Sequence, residues 1–206
     1  LRELVARCEK AGIWLLSDET YADLCFDHAF STLASPQTGH VVVMSSFSKV
    51  LSVPGFRTGY AVAHESVITK IALSNSTLYS CLPAFTQRGC LAGLSVLDRY
   101  AETVRAHGSR LIDSCHHRIN KSGLLYCSHP QSGFYLFVDI AGTGLDDMTF
   151  CRRLLEEHHT AVTPGRCFGQ DYASFIRLAT CGDDEDVREG VSRTIAFAQK
   201  LGGCRV

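Results

Sequence analysis

No apolar run in this sequence reaches the ~18 residues that a membrane-crossing helix requires. Basic clusters are missing as well. Lys and Arg number 20 against 21 Asp and Glu, for a formal net charge of −1, and they are scattered along the chain. That leaves no electrostatic footprint for nucleic acid or for an anionic membrane. Ten cysteines are present, yet no two stand as C-x-x-C. Their spacing reads against a disulfide framework or a zinc site, and no metal is expected. Several sit in apolar stretches ("YADLCF", "SRLIDSC", "LLYCSHP"), where a free Cys behaves as a small buried hydrophobe. A reducing cytoplasm fits this usage. Repeats and low-complexity tracts are absent. The first residues, "LRELVARCEKAG", are amphipathic, unlike a signal peptide, and lack a visible N-cap.

What is present is an alternation of helix-period and strand-like segments, which argues for an α/β chain. A helix over 1–11 stops at Gly12. Short apolar runs at 13–19, 40–46 and 57–63 read as buried strands. Helices follow at 65–80 and, as one long element, at about 84–120. Strands at 124–128 and 134–140, a helix at 146–158, a short strand "TAVTPG", a strand at 175–181 and a helix at 184–201 complete the pattern. The acidic run "GDDED" suits the first turn of that last helix, where the dipole favours negative charge. Three buried strands with little helix to cover them make a poor core. The expectation is a sheet that wants more strands, in a chain that is the C-terminal part of a larger protein.

Polar residues gather at the C-terminal ends of the first two strands, where open α/β sheets place their ligands. Lys49 follows "HVVVM" and stands among Ser46 and Ser48, with Arg57 eight positions later between Gly55 and Gly59. An amine held in dry surroundings is a usable nucleophile, able to form a Schiff base, and a guanidinium suits phosphate. The plain alternative is a snorkelling Lys beside an ordinary turn. Asp18 ends a strand expected to be buried, so its carboxylate calls for a cationic partner. It serves equally as a helix N-cap, and Tyr21 equally as a core residue.

Taken together, D-x-x-Y, then S-x-x-K about thirty residues on, then K-x7-R resembles the fold-type-I pyridoxal-phosphate enzymes, and specifically the class I/II aminotransferases. The stretches "LLSDETYADLCFD", "SSFSKVLSVPGFRTGYAV", "QSGFYLFVDI", "AVTPGRCFG" and "FIRLATC" carry the resemblance across nearly the whole chain. It implies that Lys49 holds pyridoxal 5'-phosphate and shuttles the substrate proton. It further implies that Asp18 pairs with the pyridinium nitrogen and Tyr21 with the phenolate oxygen, while Ser46 and Arg57 hold the phosphate. Arg177 would clamp the α-carboxylate of amino acid and 2-oxo acid substrates. "TPGRCFG" resembles a loop near the substrate entrance, and Phe134 a wall position.

The implied architecture is partial. Residues 1–85 would be the later part of the cofactor-binding large domain, 86–120 a connecting helix, and 121–206 the small domain. Family members are about twice this length and usually homodimers, with "YSCLPAF" (79–85) near the interface. Cofactor contacts from their first half have no counterpart here, so the chain alone is expected to be inactive. A β-lyase or synthase of the same fold, or an aminotransferase-like ligand-sensing domain, remains open on these residues.

Overall fold

The computed structural model describes residues 1–26, 30–34 and 39–202. Asp27, the last residue of "LLSDETYADLCFD", and Cys204 lie outside them. Two compact units divide the chain, Leu1–Arg105 and Ala106–Val206.

The first unit opens with α1 (Arg2–Lys10), which ends before Gly12 at a φ of 65°. Its sheet has the order β1-β2-β3: β1 (Leu15–Asp18), β2 (Val41–Ser46) and β3 (Gly59–Ala63). β1 and β2 run parallel, and β3 is antiparallel to β2. The central strand alone is covered on both faces, with Val41, Val42 and Val43 all buried. β1 departs from the expectation of a buried strand. Its burial alternates and Leu16 is 61% exposed, because one face of this edge strand has no described neighbour over it.

After β2 come the single-turn helix α2 (Phe47–Val50), β3, and α3 (Glu65–Tyr79). No residue of α3 is buried; Leu73, Leu78 and Tyr79 stand open at 68, 72 and 74%. The helix expected over 84–120 is two helices, α4 (Ala84–Leu94) and α5 (Leu97–Lys121). At the break, the N–H groups of Ser95 and Val96 turn to carbonyls three residues back, on Ala92 and Gly93. Ser95 Oγ also donates to Ala92 O at 2.6 Å. A glycine and a serine that competes for backbone bonds are weak helix formers, and the ladder yields there.

The second unit is better closed. β4 (Tyr126–Cys127), β5 (Tyr135–Asp139), β7 (Phe175–Ala179) and β6 (Thr163–Pro164) form an antiparallel sheet in that order. Period-two alternation divides its faces. Leu136, Val138, Ile176 and Leu178 point to one side and are at most 6% exposed. The helices of this unit, including the later part of α5, α6 (Asp147–His158) and α7 (Asp184–Gly202), contribute Ile112, Cys115, Ile119, Phe150, Leu154, Phe197 and Ala198, all fully buried. Tyr135, Phe137, Phe175 and Arg177 point to the other face. α7 opens on Asp184, Glu185 and Asp186, the acidic turn expected of "GDDED".

The nine described cysteines are free thiols; Cys90, Cys115 and Cys127 are buried, whereas Cys81, Cys167 and Cys181 are exposed. Among the described residues no helix is long and apolar enough to cross a membrane.

The contrast between the units sets an expectation for mutagenesis. Phe150→Ala should cost about 3–5 kcal/mol, as a cavity in a closed core does. Leu78→Ser should change stability by no more than about 0.5 kcal/mol, as a substitution on an open helix face does. Urea unfolding of the two variants checks both, and equal losses would contradict this description of the cores.

Candidate active site

One edge of the first unit's sheet collects most of the chemistry-bearing residues. Because β1 and β2 are parallel and in register, Asp18 stands opposite Met44 and both strands end on the same side. Past those ends the backbones stay tied. Glu19 N donates to Met44 O at 2.8 Å, and Ser45 Oγ donates to Glu19 O at 3.3 Å. Glu19 is itself 6% exposed, its carboxylate accepting from Ser17 Oγ, Thr32 Oγ1 and Leu33 N. Tyr21 follows and leads into a 3-10 turn over Ala22–Leu24.

Ser46 closes β2 and caps α2. Its Oγ accepts from Ser48 N at 3.1 Å and donates to Thr58 O at 3.3 Å. Phe47 N donates to the same Thr58 carbonyl. Those bonds draw the segment carrying Arg57 against the N-terminus of the helix carrying Lys49. Arg57 has a left-handed backbone, φ 53°, unusual for a residue with a Cβ, and its Nη1 donates to Pro54 O at 2.9 Å. Gly59 is required next, since a Cβ there would strike the backbone carbonyl of Ser45.

Exposure separates the lysines. Lys49 is half-buried, whereas Lys10, Lys70, Lys121 and Lys200, the rest of the chain's lysines, are exposed. Asp18 differs from its expected burial. It is exposed, with Oδ1 accepting from Thr20 N and Thr20 Oγ1 at 3.1 and 2.6 Å. The reason is the open face of β1, which leaves Oδ2 without a hydrogen-bond partner among the described residues.

Arg177 belongs to the second unit and lies on the sheet face away from the core. Its guanidinium carbon is over the rings of Tyr135 at 4.2 Å and Phe168 at 4.9 Å. Nη2 reaches Thr163 Oγ1 at 3.4 Å, while Nε is buried with no partner among the described residues. A buried donor left unpaired costs about 1–3 kcal/mol. Phe168 comes from the 3-10 segment Gly165–Phe168, within "TPGRCFG". Tyr135 shares the face of Arg177 through the register of β5 against β7, in which Phe137 stands opposite Arg177. Phe134 contributes its carbonyl, which accepts from Thr180 N and Oγ1.

A buried acid that sequence reasoning missed anchors that segment. Asp147 is fully buried at the start of α6 and accepts from Arg166 N at 2.8 Å and Arg166 Nε at 2.7 Å. Burial works against its charge, but the hydrogen bonds from Arg166 and Met148, with the guanidinium charge, prevail and hold the carboxyl below the usual aspartate value. Nothing in the local pattern gives this pair away, since its members are 19 residues apart in different elements.

The family model for aminotransferase class I and II matches residues 1–193. A curated relative, the aspartate aminotransferase of Thermotoga maritima, is 31% identical over 96% of this chain and 50% of its own. A crystal structure of an aspartate aminotransferase from the same organism superposes with a TM-score of 0.83 at 30% identity, covering 95% of this chain and 50% of that one. A PLP-bound putative aminotransferase from Clostridium difficile 630 shares the fold at a TM-score of 0.86 and 18% identity, covering 96% and 53%. The chain thus spans about half the length of the curated relatives it matches.

Asp147 gives the second unit an acid-sensitive fastening. Its carboxyl titrates lower in the folded chain than in the unfolded one, so its stabilisation is complete above the ordinary aspartate value of 3.8 and is lost as pH falls through the lower folded value. Stability should therefore decline on acidification more steeply in the wild type than in Asp147→Asn. Urea midpoints measured across the acid range check this, and parallel curves would exclude it.

Proposed function

The chain belongs to the class I and II aminotransferases, and from that premise we propose that it carries the lysine, cofactor-holding and carboxylate-holding residues of an enzyme moving an amino group between an amino acid and a 2-oxo acid. The observation that carries the reading is Lys49, the half-buried lysine of the chain, at a strand-end edge that also bears Asp18, Tyr21, Ser46 and Arg57.

That set fits pyridoxal 5'-phosphate by chemistry. Asp18 has an open carboxylate oxygen for a ring N–H. Tyr21 supplies a phenol on the turn that follows. Arg57 has Nε and Nη2 unused among the described residues, and the long Ser46–Thr58 bond of 3.3 Å is readily exchanged for a phosphate oxygen. When bound, the cofactor supplies an electron sink for the pair left on the substrate Cα.

In this reading Lys49 would hold the cofactor through its Nζ and would serve as the base that takes the substrate Cα proton and passes it on. Asp18 would accept the ring N–H and so keep that nitrogen protonated. Tyr21 would donate its phenol O–H to the ring oxygen. Ser46 and Arg57 hold the phosphate end and prevent sliding. Arg177 receives the substrate α-carboxylate on its guanidinium, and its unpaired buried N–H supports this role. Residues 1–85 then act as the later part of the cofactor-binding domain and 121–206 as the small domain, with α5 leading into the latter.

The enzyme works as a homodimer in the cytoplasm in this proposal. The open apolar side chains Leu73, Leu78, Tyr79, Phe85 and Leu91 on α3 and α4 support an interface there, and the free thiols support a reducing compartment.

The test is reductive labelling. The purified chain is incubated with pyridoxal phosphate, reduced with borohydride and mapped by mass spectrometry. The expected result is an adduct at Lys49 that Lys49→Ala removes. Labelling spread evenly over Lys10, Lys70, Lys121 and Lys200 would mean that this chain alone does not form the cofactor pocket, and a full-length parent that also failed to label at Lys49 would refute the assignment.

A further inference from the structure

Arg177 cannot keep its position by its own bonds. Among the described residues its one side-chain hydrogen bond is long, and of the two rings it faces, Phe168 is 45% exposed. Phe168 meets the rest of the unit edge-on, with its ring 5.8 Å from Phe137. What fixes the loop lies three and two residues earlier. Gly165 is buried against the carbonyls of Tyr172 and Phe175, where no Cβ fits. Arg166 gives its backbone N–H and its Nε to Asp147, and its Nη2 to Asp146 at 3.1 Å. Asp147 also grips the far end of the same loop, its own N–H donating to Ala173 O at 2.8 Å. Asp146 is held in turn as the N-cap of α6, accepting from Met148 N and Thr149 N. One buried acid at a helix start thus fastens both ends of the segment 165–173.

We propose that Asp147 and Arg166 are positioning residues, a latch that sets Phe168 over Arg177 and thereby sets how tightly that guanidinium holds a carboxylate. This rests on the reading of Arg177 as the carboxylate clamp. The physical route is desolvation and restraint. An aromatic ring over the guanidinium excludes water and strengthens the ion pair, and it prevents the long side chain from swinging through other rotamers. With the latch broken, Phe168 leaves, Nε gains water, and the clamp binds as an ordinary surface arginine.

The buried Nε–H supplies a direct readout. In the chain labelled with 15N-arginine, the Arg177 Nε–H signal, assigned through Arg177→Lys, should exchange slowly with water and shift on titration with sodium pyruvate. Arg166→Gln should speed the exchange and weaken pyruvate binding about tenfold. Phe168→Ala should do the same while leaving the latch intact. Arg152→Gln, which removes an equal charge from an exposed pair on α6, should do neither. If Arg166→Gln keeps wild-type exchange and affinity, the latch is refuted and the clamp reading stands. If the wild-type signal ignores pyruvate, the clamp reading falls and the latch proposal with it. Should Arg166→Gln fail to fold, Phe168→Ala decides, since unchanged exchange there overturns the proposal.

Discussion

The parallel register between β1 and β2 is the constraint on which the first unit depends. Asp18 sits beside Met44 because Leu15 sits beside Val41, and a slip of one residue would turn both rows of side chains over. Every later placement inherits that choice. Glu19 can bond Met44 only in this register, Ser46 can then cap α2, and the bonds to Thr58 follow from where Phe47 has been put. The residues that give the edge its chemistry are therefore positioned mainly by backbone bonds. Lys49 reaches the same edge because the helix that carries it starts where β2 ends.

The second unit solves a similar problem by a different means. Its sheet is antiparallel and one of its faces is sealed by helices, so alternation alone decides which residues are core and which are presented. Leu136 and Ile176 are sealed in; Tyr135 and Arg177 are presented. Between them the two units offer two styles of site, one built from the ends of strands and one from the face of a sheet.

Much of this could be read from the sequence, for identifiable reasons. Element positions followed from periodicity, and the strand-end location of Asp18, Ser46 and Lys49 followed from polar residues closing apolar runs. The failures have a common source, which is that a sequence does not say what covers an apolar run. "IWLLSDE" looks the same whether or not its outer face is covered, so Asp18 was expected to be buried and is exposed. The break at Ser95 was hidden because apolar residues continue on both sides of it. Asp147 and Arg166 escaped because pairing between distant elements leaves no local pattern, and an Asp at a helix start looks like any other capping residue.

Arg57 carries a further consequence. A side chain on a left-handed backbone costs roughly 1 kcal/mol that glycine would avoid. A search for thermostable variants guided by backbone preference would therefore select glycine at 57 and report success by melting temperature. It would also remove the guanidinium carried by the segment that Thr58 ties to the N-terminus of the Lys49 helix. Stability screens on this chain are thus biased against the edge proposed to hold the cofactor, and position 57 belongs on the list of residues to be held fixed.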